Sequence, residues 1–324
     1  MEAFEEFRYK RAEGLWVITP YFNPCGYKRR EFNYKVFARA LERSGIPLLT
    51  IECAFGDQSF TLPESHDIVR VRSNSLLWQK ERLMNLAISW LPKACTAVAW
   101  ADCDLLFGNP NWAVDTMRLL EKVPVVQLFE TCNRLPEENL ANRAGGDVCR
   151  SFASVTPSDP SILNLGHFEK HGHTGYGWGA TRELLERHGL YEYAIIGSAD
   201  HYISHAAFGD FAGPCMKLMM DGDEPQLEHF RNWAEPFYRD VAGKVAAVPG
   251  EVLHLWHGDL KQRKYLLRNH QLTKYRFDPF TDLVARPGRP FEWAPGVHKE
   301  KSELVEMFAG YFASREEDGQ SSKI

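Results

Sequence analysis

Three groups of side chains in this sequence have types and spacings that could do chemistry. In "VAWADCDLLFGNPNW", Asp102 and Asp104 stand two apart where an apolar run ends. Past a strand end the backbone turns, so both acids can reach one cluster. One would meet a divalent cation, the other a ribose hydroxyl or a metal-bound water. Hard oxygen ligands of this kind suit Mg²⁺ or Mn²⁺ held jointly with a diphosphate; a polar turn is the plainer alternative. In "EVLHLWHGD", His254 and His257 offer an imidazole that would complete such a site, and imidazole tolerates Mn²⁺ better than Mg²⁺. Asp200 in "GSADHYIS" stands near a helix start, where it either caps the helix or serves as general base for a hydroxyl nucleophile. "HTGYGWGA" sets Gly175, Gly177 and Gly179 around Tyr176 and Trp178. Glycines let backbone approach a ligand, and an exposed aromatic face packs on a sugar ring; the alternative is a tight turn with a buried Trp178. It is no dinucleotide fingerprint, because it follows no first strand.

These groups need elements to hold them. "LWVITP" (15–20), "PLLTIECAF" (47–55), "CTAVAWAD" (95–102) and "PVVQLFE" (124–130) read as buried strands. Helical spacing runs through 32–45, 78–91 and a stretch near 111–122, then returns at 180–189 and 198–209. Alternation of this sort predicts an α/β fold with a mostly parallel central sheet and helices on both faces. In open sheets of that kind ligands bind at the carboxyl ends of the strands. Thr19, Pro20, Glu52 and Asp102 fall at such ends. Between about 131 and 175 the chain turns rich in Gly, Pro, Ser and charge, which predicts a long functional loop.

With 324 residues and no apolar run near the ~18 needed to span a bilayer, the composition is that of a soluble globular chain expected in the cytosol, with no membrane partner. Seven scattered cysteines without zinc spacing read as free buried thiols. A net charge of -5 argues against coating nucleic acid through bulk electrostatics. One basic segment, 261–276, concentrates Lys261, Arg263, Lys264, Arg268, Lys274 and Arg276, either as a solvated helix face or as a contact for DNA phosphates. The polar tail 314–324 is expected to be disordered.

Together these pieces resemble a nucleotide-sugar-dependent glycosyltransferase of the GT-A fold, with features of family-two enzymes and of the β-1,4-galactosyltransferases. The segments "GSADHYISHA" and "LHLWHG" are also similar to glycosyltransferase-like proteins of phages and bacteria. The resemblance covers roughly 14 to 260 and implies a donor-binding half (14–130), an acceptor and catalytic half (131–260), and a C-terminal helical, basic extension (261–324). It implies that Thr19, Pro20, Tyr21 and Asn23 pack on the nucleotide base and that Glu52 reads the base imide. Lys80, Arg82 and Asn85 of "QKERLMNLAI" would lie near the donor. Asp104 and His257 become the metal ligands, with His254 in reserve, and Asp102 faces the ribose. Tyr176, Gly177, Trp178 and Gly179 become the acceptor loop, and Asp200 the base. Galactosyltransferases follow that loop directly with acids, whereas here the first suitable acid is Asp200. The implied activity is Mn²⁺- or Mg²⁺-dependent, inverting transfer of a sugar from a nucleotide sugar, UDP-linked, to the hydroxyl of a glycan or of a modified DNA base. Two rivals are a sugar-phosphate nucleotidyltransferase, which would want a Gly-rich basic loop where "YFNPCGYKRR" has one glycine, and a non-catalytic carbohydrate- or DNA-binding module.

Overall fold

The computed structural model describes residues 4–137 and 146–319. In chain order the main elements are β1 (Leu15–Tyr21), α1 (Lys28–Glu42), β2 (Leu48–Phe55), β3 (Ile68–Ser73), α2 (Lys80–Ile88), β4 (Ala97–Ala101), β5 (Leu105–Phe107) and α3 (Trp112–Leu120). They continue with β6 (Val125–Gln127), β7 (Thr131–Arg134), β8 (Asp147–Arg150), α4 (Phe152–Val155), β9 (Gly177–Thr181), α5 (Arg182–His188), α6 (Ala199–Ala206), α7 (Pro214–Met220) and α8 (Glu224–Val241). Last come β10 (Val245–Ala247), β11 (Glu251–His254), α9 (Tyr265–Lys274), β12 (Leu283–Val284), β13 (Glu292–Trp293), α10 (Val297–Glu300) and α11 (Ser302–Ala313).

The central sheet has seven strands in the order β10-β6-β9-β4-β1-β2-β3. All its pairings are parallel except those of β9, which runs antiparallel to both β4 and β6. The near-continuous apolar runs of β1, β2 and β4 follow from burial on both faces. Side-chain alternation splits the core in two. Ile18, Val98, Trp100 and Trp178 meet Leu83 of α2, Leu184 of α5, Tyr202 of α6 and Phe230 of α8. Val17, Ala97 and Ala99 meet Phe37 of α1 and Trp112 of α3. A smaller sheet, β5-β11-β7-β8, stands beside the carboxyl ends of the large one. The architecture is thus the expected mixed α/β one, a mainly parallel sheet flanked by helices.

Four features depart from the sequence reading. The 131–175 stretch is not an extended loop: it forms β7, β8, α4 and short 3-10 turns, with 138–145 outside the described residues. β7 pairs with β11, a strand far away in sequence, so no local pattern announces it. The long helix α8 went unread because Pro225 and Pro236 interrupt its pattern. Pro225 sits in the first turn, where a missing N–H costs nothing, and Asp223 caps the helix by accepting from the Gln226 amide at 3.1 Å.

The segment expected as an extension, 261–324, shares the main core: Phe312 stacks on Trp78 at 6.1 Å, and Phe308 and Leu304 are fully buried. The tail expected to be disordered is ordered as far as residue 319; 320–324 lie outside the described residues. Arg315 and Glu317 are 3% and 1% exposed. Asp318 accepts from the Lys28 and Arg29 amides at 3.0 and 2.7 Å, supplying the carboxylate cap that the first turn of α1 lacks locally.

Candidate active site

Strand order reverses on either side of β1, which pairs with β2 on one side and β4 on the other, and a crevice opens at their carboxyl ends. Thr19 Oγ1 donates to the Ala101 carbonyl at 2.8 Å and locks the two strand ends together. Two more bonds tie in the rest: the Asp102 amide to the Tyr176 carbonyl, and the Leu255 amide to the Asp104 carbonyl, each 2.8 Å. The resulting cavity, about 880 Å³, is lined by Pro20, Lys80, Asp102, Asp104, Tyr176, Asp200, His254 and His257 among others.

One wall carries a ligand cluster. Donor atoms of Asp104, His254 and His257 lie within 4.8 Å of one another, and all three residues are buried. His257 Nε2 is 3.0 Å from Asp104 Oδ2 and 3.1 Å from His254 Nε2. Asp104 Oδ1 is buried with no hydrogen-bond partner, a costly state for a carboxylate oxygen unless a cation meets it. One carboxylate and two imidazoles form a set that Mn²⁺ accepts, so these residues fit the metal that the sequence implies. Burial by itself would raise the Asp104 carboxyl, but His257 and His254 beside it hold it well below the usual range. Burial pulls the His254 imidazole down to about 3, leaving it neutral and able to ligate. Burial and Arg263 pull His257 down too, yet Asp104 and Glu317 outweigh them and raise it.

Across the cavity Lys80 bridges two acids, with Nζ 2.7 Å from Asp102 and 2.9 Å from Asp200. Burial opposes its charge, but the two carboxylates keep it protonated far above the ordinary range. Asp102, whose side chain keeps 31% exposure to the cavity, is pushed up to about 6 by burial against the pull of Lys80, with Asp104 and Asp200 adding to the rise. Asp200 is held in the first turn of α6, two residues after Ser198, whose φ of 76° is rare outside glycine. Tyr176, with φ of 82°, is the other strained non-glycine at this cavity. Its ring stacks on His173 at 4.2 Å, and its hydroxyl accepts from Arg134 Nε at 2.6 Å.

Several residues assigned by resemblance do not reach the cavity. Gly177, Trp178 and Gly179 form β9 inside the central sheet. Trp178 is 2% exposed and donates to the Thr174 carbonyl at 2.7 Å, so it is core rather than a sugar platform. A Cβ on Gly179 would meet Val126 at 3.3 Å, which shows that this glycine serves sheet packing. Arg82 pairs with Glu192 at 2.8 Å and donates to the Arg286 and Arg289 carbonyls; Asn85 bonds Glu192 and both backbone groups of Leu190. Both clamp outlying chain to α2.

Glu52 is buried and accepts from the Thr61 and Leu62 amides, holding the β2–β3 connection. Asn23 closes its own turn on Tyr27, and Tyr21 is fully buried. Of the first-strand group only Pro20 lines the cavity, while Thr19 acts from behind it.

Other residues were not assigned to the site by the sequence. Arg30, Arg134, His173, Arg263 and Arg268 all line the cavity. Arg263 and Arg268 belong to the basic segment but are 6% and 7% exposed, whereas Lys261, Lys264, Lys274 and Arg276 remain outside. Periodicity along α9 would have singled out Arg268 but not the cavity it faces. Glu81, buried with Oε2 unpartnered, is pushed up to about 8 by burial. Glu317 stands 3.4 Å from Arg30, 3.6 Å from Arg263 and 2.6 Å from Arg315, and no sequence signal marks it.

No protein-family model and no curated protein sequence matches the chain. Solved structures do. One is a Drosophila β-1,4-galactosyltransferase 7 in complex with manganese, UDP-Gal and xylobiose: 11% identity, 60% of this chain, TM-score 0.32. That alignment spans only 59% of the galactosyltransferase chain. Glucosyl-3-phosphoglycerate synthase from Mycobacterium tuberculosis, with Mg²⁺ and UDP, shares 11% identity over 88% of each chain at a TM-score of 0.38. Mannosyl-3-phosphoglycerate synthase from Rubrobacter xylanophilus shares 14% identity over 89% of this chain and 87% of its own, at a TM-score of 0.39.

Proposed function

We propose that this chain is a metal-dependent glycosyltransferase of the GT-A type that moves a sugar from a nucleotide-sugar donor, UDP-linked, to an acceptor hydroxyl with inversion. One observation carries the reading. A buried, unpartnered carboxylate oxygen of Asp104 faces two imidazoles at the carboxyl end of a mainly parallel sheet, in the same cavity as the Lys80–Asp200 pair.

Asp104, His257 and His254 would hold Mn²⁺ or Mg²⁺, which supplies Lewis-acid neutralisation of the leaving diphosphate. For His257 Nε2 to ligate, its proton must sit on Nδ1. Glu317 Oε1 lies 3.7 Å from that nitrogen, but Arg263 Nη2 donates to it at 2.7 Å, so Arg263 must turn from Nδ1 towards the diphosphate before His257 takes this tautomer. Arg30, Arg134 and Arg263 add positive charge around the diphosphate position, where guanidinium forks match phosphate oxygens. Asp102 meets the ribose side of the donor. Asp200, released from Lys80 as substrate enters, takes the acceptor proton, a contribution of about 10²–10⁴ in rate. Tyr176 stands at the acceptor side.

The acceptor is a glycan or a hydroxyl-bearing DNA base. Four exposed cations of the 261–276 segment are available for phosphate contact, two fewer than the sequence suggested. Seven free thiols support a reducing, cytosolic setting, and among the described residues no helix is long and apolar enough to cross a membrane.

A thermal-shift screen of UDP-, GDP- and CMP-sugars with and without Mn²⁺ tests the donor half. Stabilisation by a UDP-sugar only with metal is expected; metal-independent or absent stabilisation overturns it. Mass spectrometry of glycans and nucleosides after incubation with the preferred donor identifies the acceptor. Steep loss of acceptor binding with salt marks DNA, and salt-independent transfer marks a glycan.

A further inference from the structure

A second cluster of side chains with metal-ligating atoms borders the same cavity, on α6 and the segments packed beside it. His201 and His205 are four apart on that helix and therefore share one face. His171 comes from the turn before β9, and Cys215 from the first turn of α7. One ligand atom from each of the four lies within 4.8 Å of every other. All four are closed to solvent, at 2%, 6%, 0% and 0% exposure for His171, His201, His205 and Cys215.

The ring nitrogens supply an independent observation. Nε2 of His171, of His201 and of His205 are all buried with no hydrogen-bond partner. Three such orphans in one place are hard to account for as core packing, since each forfeits its hydration without return. Two of the rings are also oriented from behind. His171 Nδ1 lies 2.8 Å from the Gly172 carbonyl, and His205 Nδ1 lies 2.7 Å from Asp210 Oδ2. Each arrangement puts the proton on Nδ1 and leaves Nε2 as a free lone pair, the tautomer a metal requires. Asp210 does more: its Oδ1 accepts from the Gly213 amide at 2.7 Å, fastening the residue that precedes α7, and so Cys215, to the same frame. Phe152 and Phe168 pack against His171, with Phe152 also against His205 and Phe168 against His201, making an apolar shell.

We propose that His171, His201, His205 and Cys215 form a closed, four-coordinate zinc site that is structural and separate from the Asp104 cluster. Three imidazoles and one thiolate match a tetrahedral structural site with no open position. Bonds of about 2.0–2.3 Å place ligand atoms about 3.3–3.7 Å apart, so a small contraction of the present cluster seats the ion. Binding releases the Cys215 proton to solvent as the thiolate forms, and the neutral rings release none. The site joins three segments with no common secondary structure: the turn before β9, helix α6 and helix α7. It also stands next to the chemistry. His201 follows Asp200, and both His171 and His201 border the cavity, so the ion would fix the helix end that carries the candidate base. In that capacity His201 and its partners are positioning residues.

The test is metal analysis of full-length protein, purified without added metal, alongside Cys215→Ser and Asp104→Ala. Expected are about one zinc per chain in the wild type and in Asp104→Ala, and less than about a tenth of that in Cys215→Ser. Zinc lost from Asp104→Ala but kept by Cys215→Ser would assign it to the other cluster and overturn the proposal, as would a wild type that takes up none when supplied with Zn²⁺. Should Cys215→Ser fail to fold, Co²⁺ exchanged into the wild type decides the matter. A tetrahedral spectrum with a thiolate-to-cobalt charge-transfer band supports the site, and its absence overturns it.

Discussion

Glu317 Oε1 lies 3.7 Å from Nδ1 of His257, and through this contact the last described turn of the chain joins the wall that carries Asp104, His254 and His257. Glu317 also faces Arg30, Arg263 and Arg315, so a single buried carboxylate offsets part of the positive charge gathered on that wall. Burial opposes its ionisation, but Arg30 and His257 outweigh it and bring the carboxyl down to about 2.

Replacing Glu317 with Gln leaves buried guanidinium groups uncompensated and should cost about 3–5 kcal/mol at neutral pH. The folded carboxyl titrates below its unfolded value of about 4.3, so its contribution is complete above that pH and is lost as pH falls towards 2. The stability difference between wild type and Glu317→Gln, followed by urea unfolding, should therefore shrink across that window. A difference that stays constant down to pH 2 would show that ionisation is not its source.

Asp104→Ala removes the only carboxylate among the three ligands. Mn²⁺-dependent UDP binding, measured by calorimetry, should weaken by at least about 10²-fold. The same change removes an unpartnered buried oxygen but also takes the 3.0 Å carboxylate partner from His257, so the melting temperature should fall while the fold is retained. Unchanged metal-dependent binding would eliminate Asp104 as a ligand.

Asp200→Asn keeps the shape of the first turn of α6 and loses the base. Donor affinity should stay within about threefold while the transfer rate drops about 10²–10⁴-fold. Single-turnover assays with saturating donor separate the two effects, and wild-type turnover in this variant would remove Asp200 from the reaction.

Asp102 is raised to about 6, so in the free protein it gains a proton, and loses its attraction for Lys80 and for a cation, as pH drops through that value. Affinity for Mn²⁺–UDP should fall from pH 7 to pH 5. Asp102→Asn should flatten the profile in that range, and a profile of unaltered slope would mean that another group governs it.

Trp178 distinguishes a core role from an acceptor role. Trp178→Ala opens a cavity between the central sheet and the α2/α5/α6 layer, at an expected cost of about 3–5 kcal/mol. In the fraction that folds, the acceptor KM should be unaffected. A large KM change with wild-type stability would restore the sugar-platform role.

The strands and helices that build the sheet were legible because each carries its own period. β1, β2 and β4 are near-continuous apolar runs, and α1, α2 and α5 repeat apolar residues at helical spacing before a polar or glycine stop. Asp102, Asp104, Asp200, His254 and His257 could be named from residue type and from their position after such runs. These are local properties, and a sequence states them directly. What only the tertiary structure decided is which of the named residues share a space. "GYGWGA" reads as a loop but pairs with β4 and β6, because an antiparallel strand inserted between parallel ones leaves no local trace. Arg82 and Asn85 are consumed by chain that returns from elsewhere and Glu52 by the β2–β3 connection, and Glu317 and Asp318 emerge from a polar tail to flank the Asp104–His257 pair and cap α1. The cluster of His171, His201, His205 and Cys215 is likewise invisible to ligand spacing, since three separate segments converge on it. Local periodicity is encoded in neighbours along the chain, whereas a site is made by contacts between distant residues, and only the packed structure brings those together.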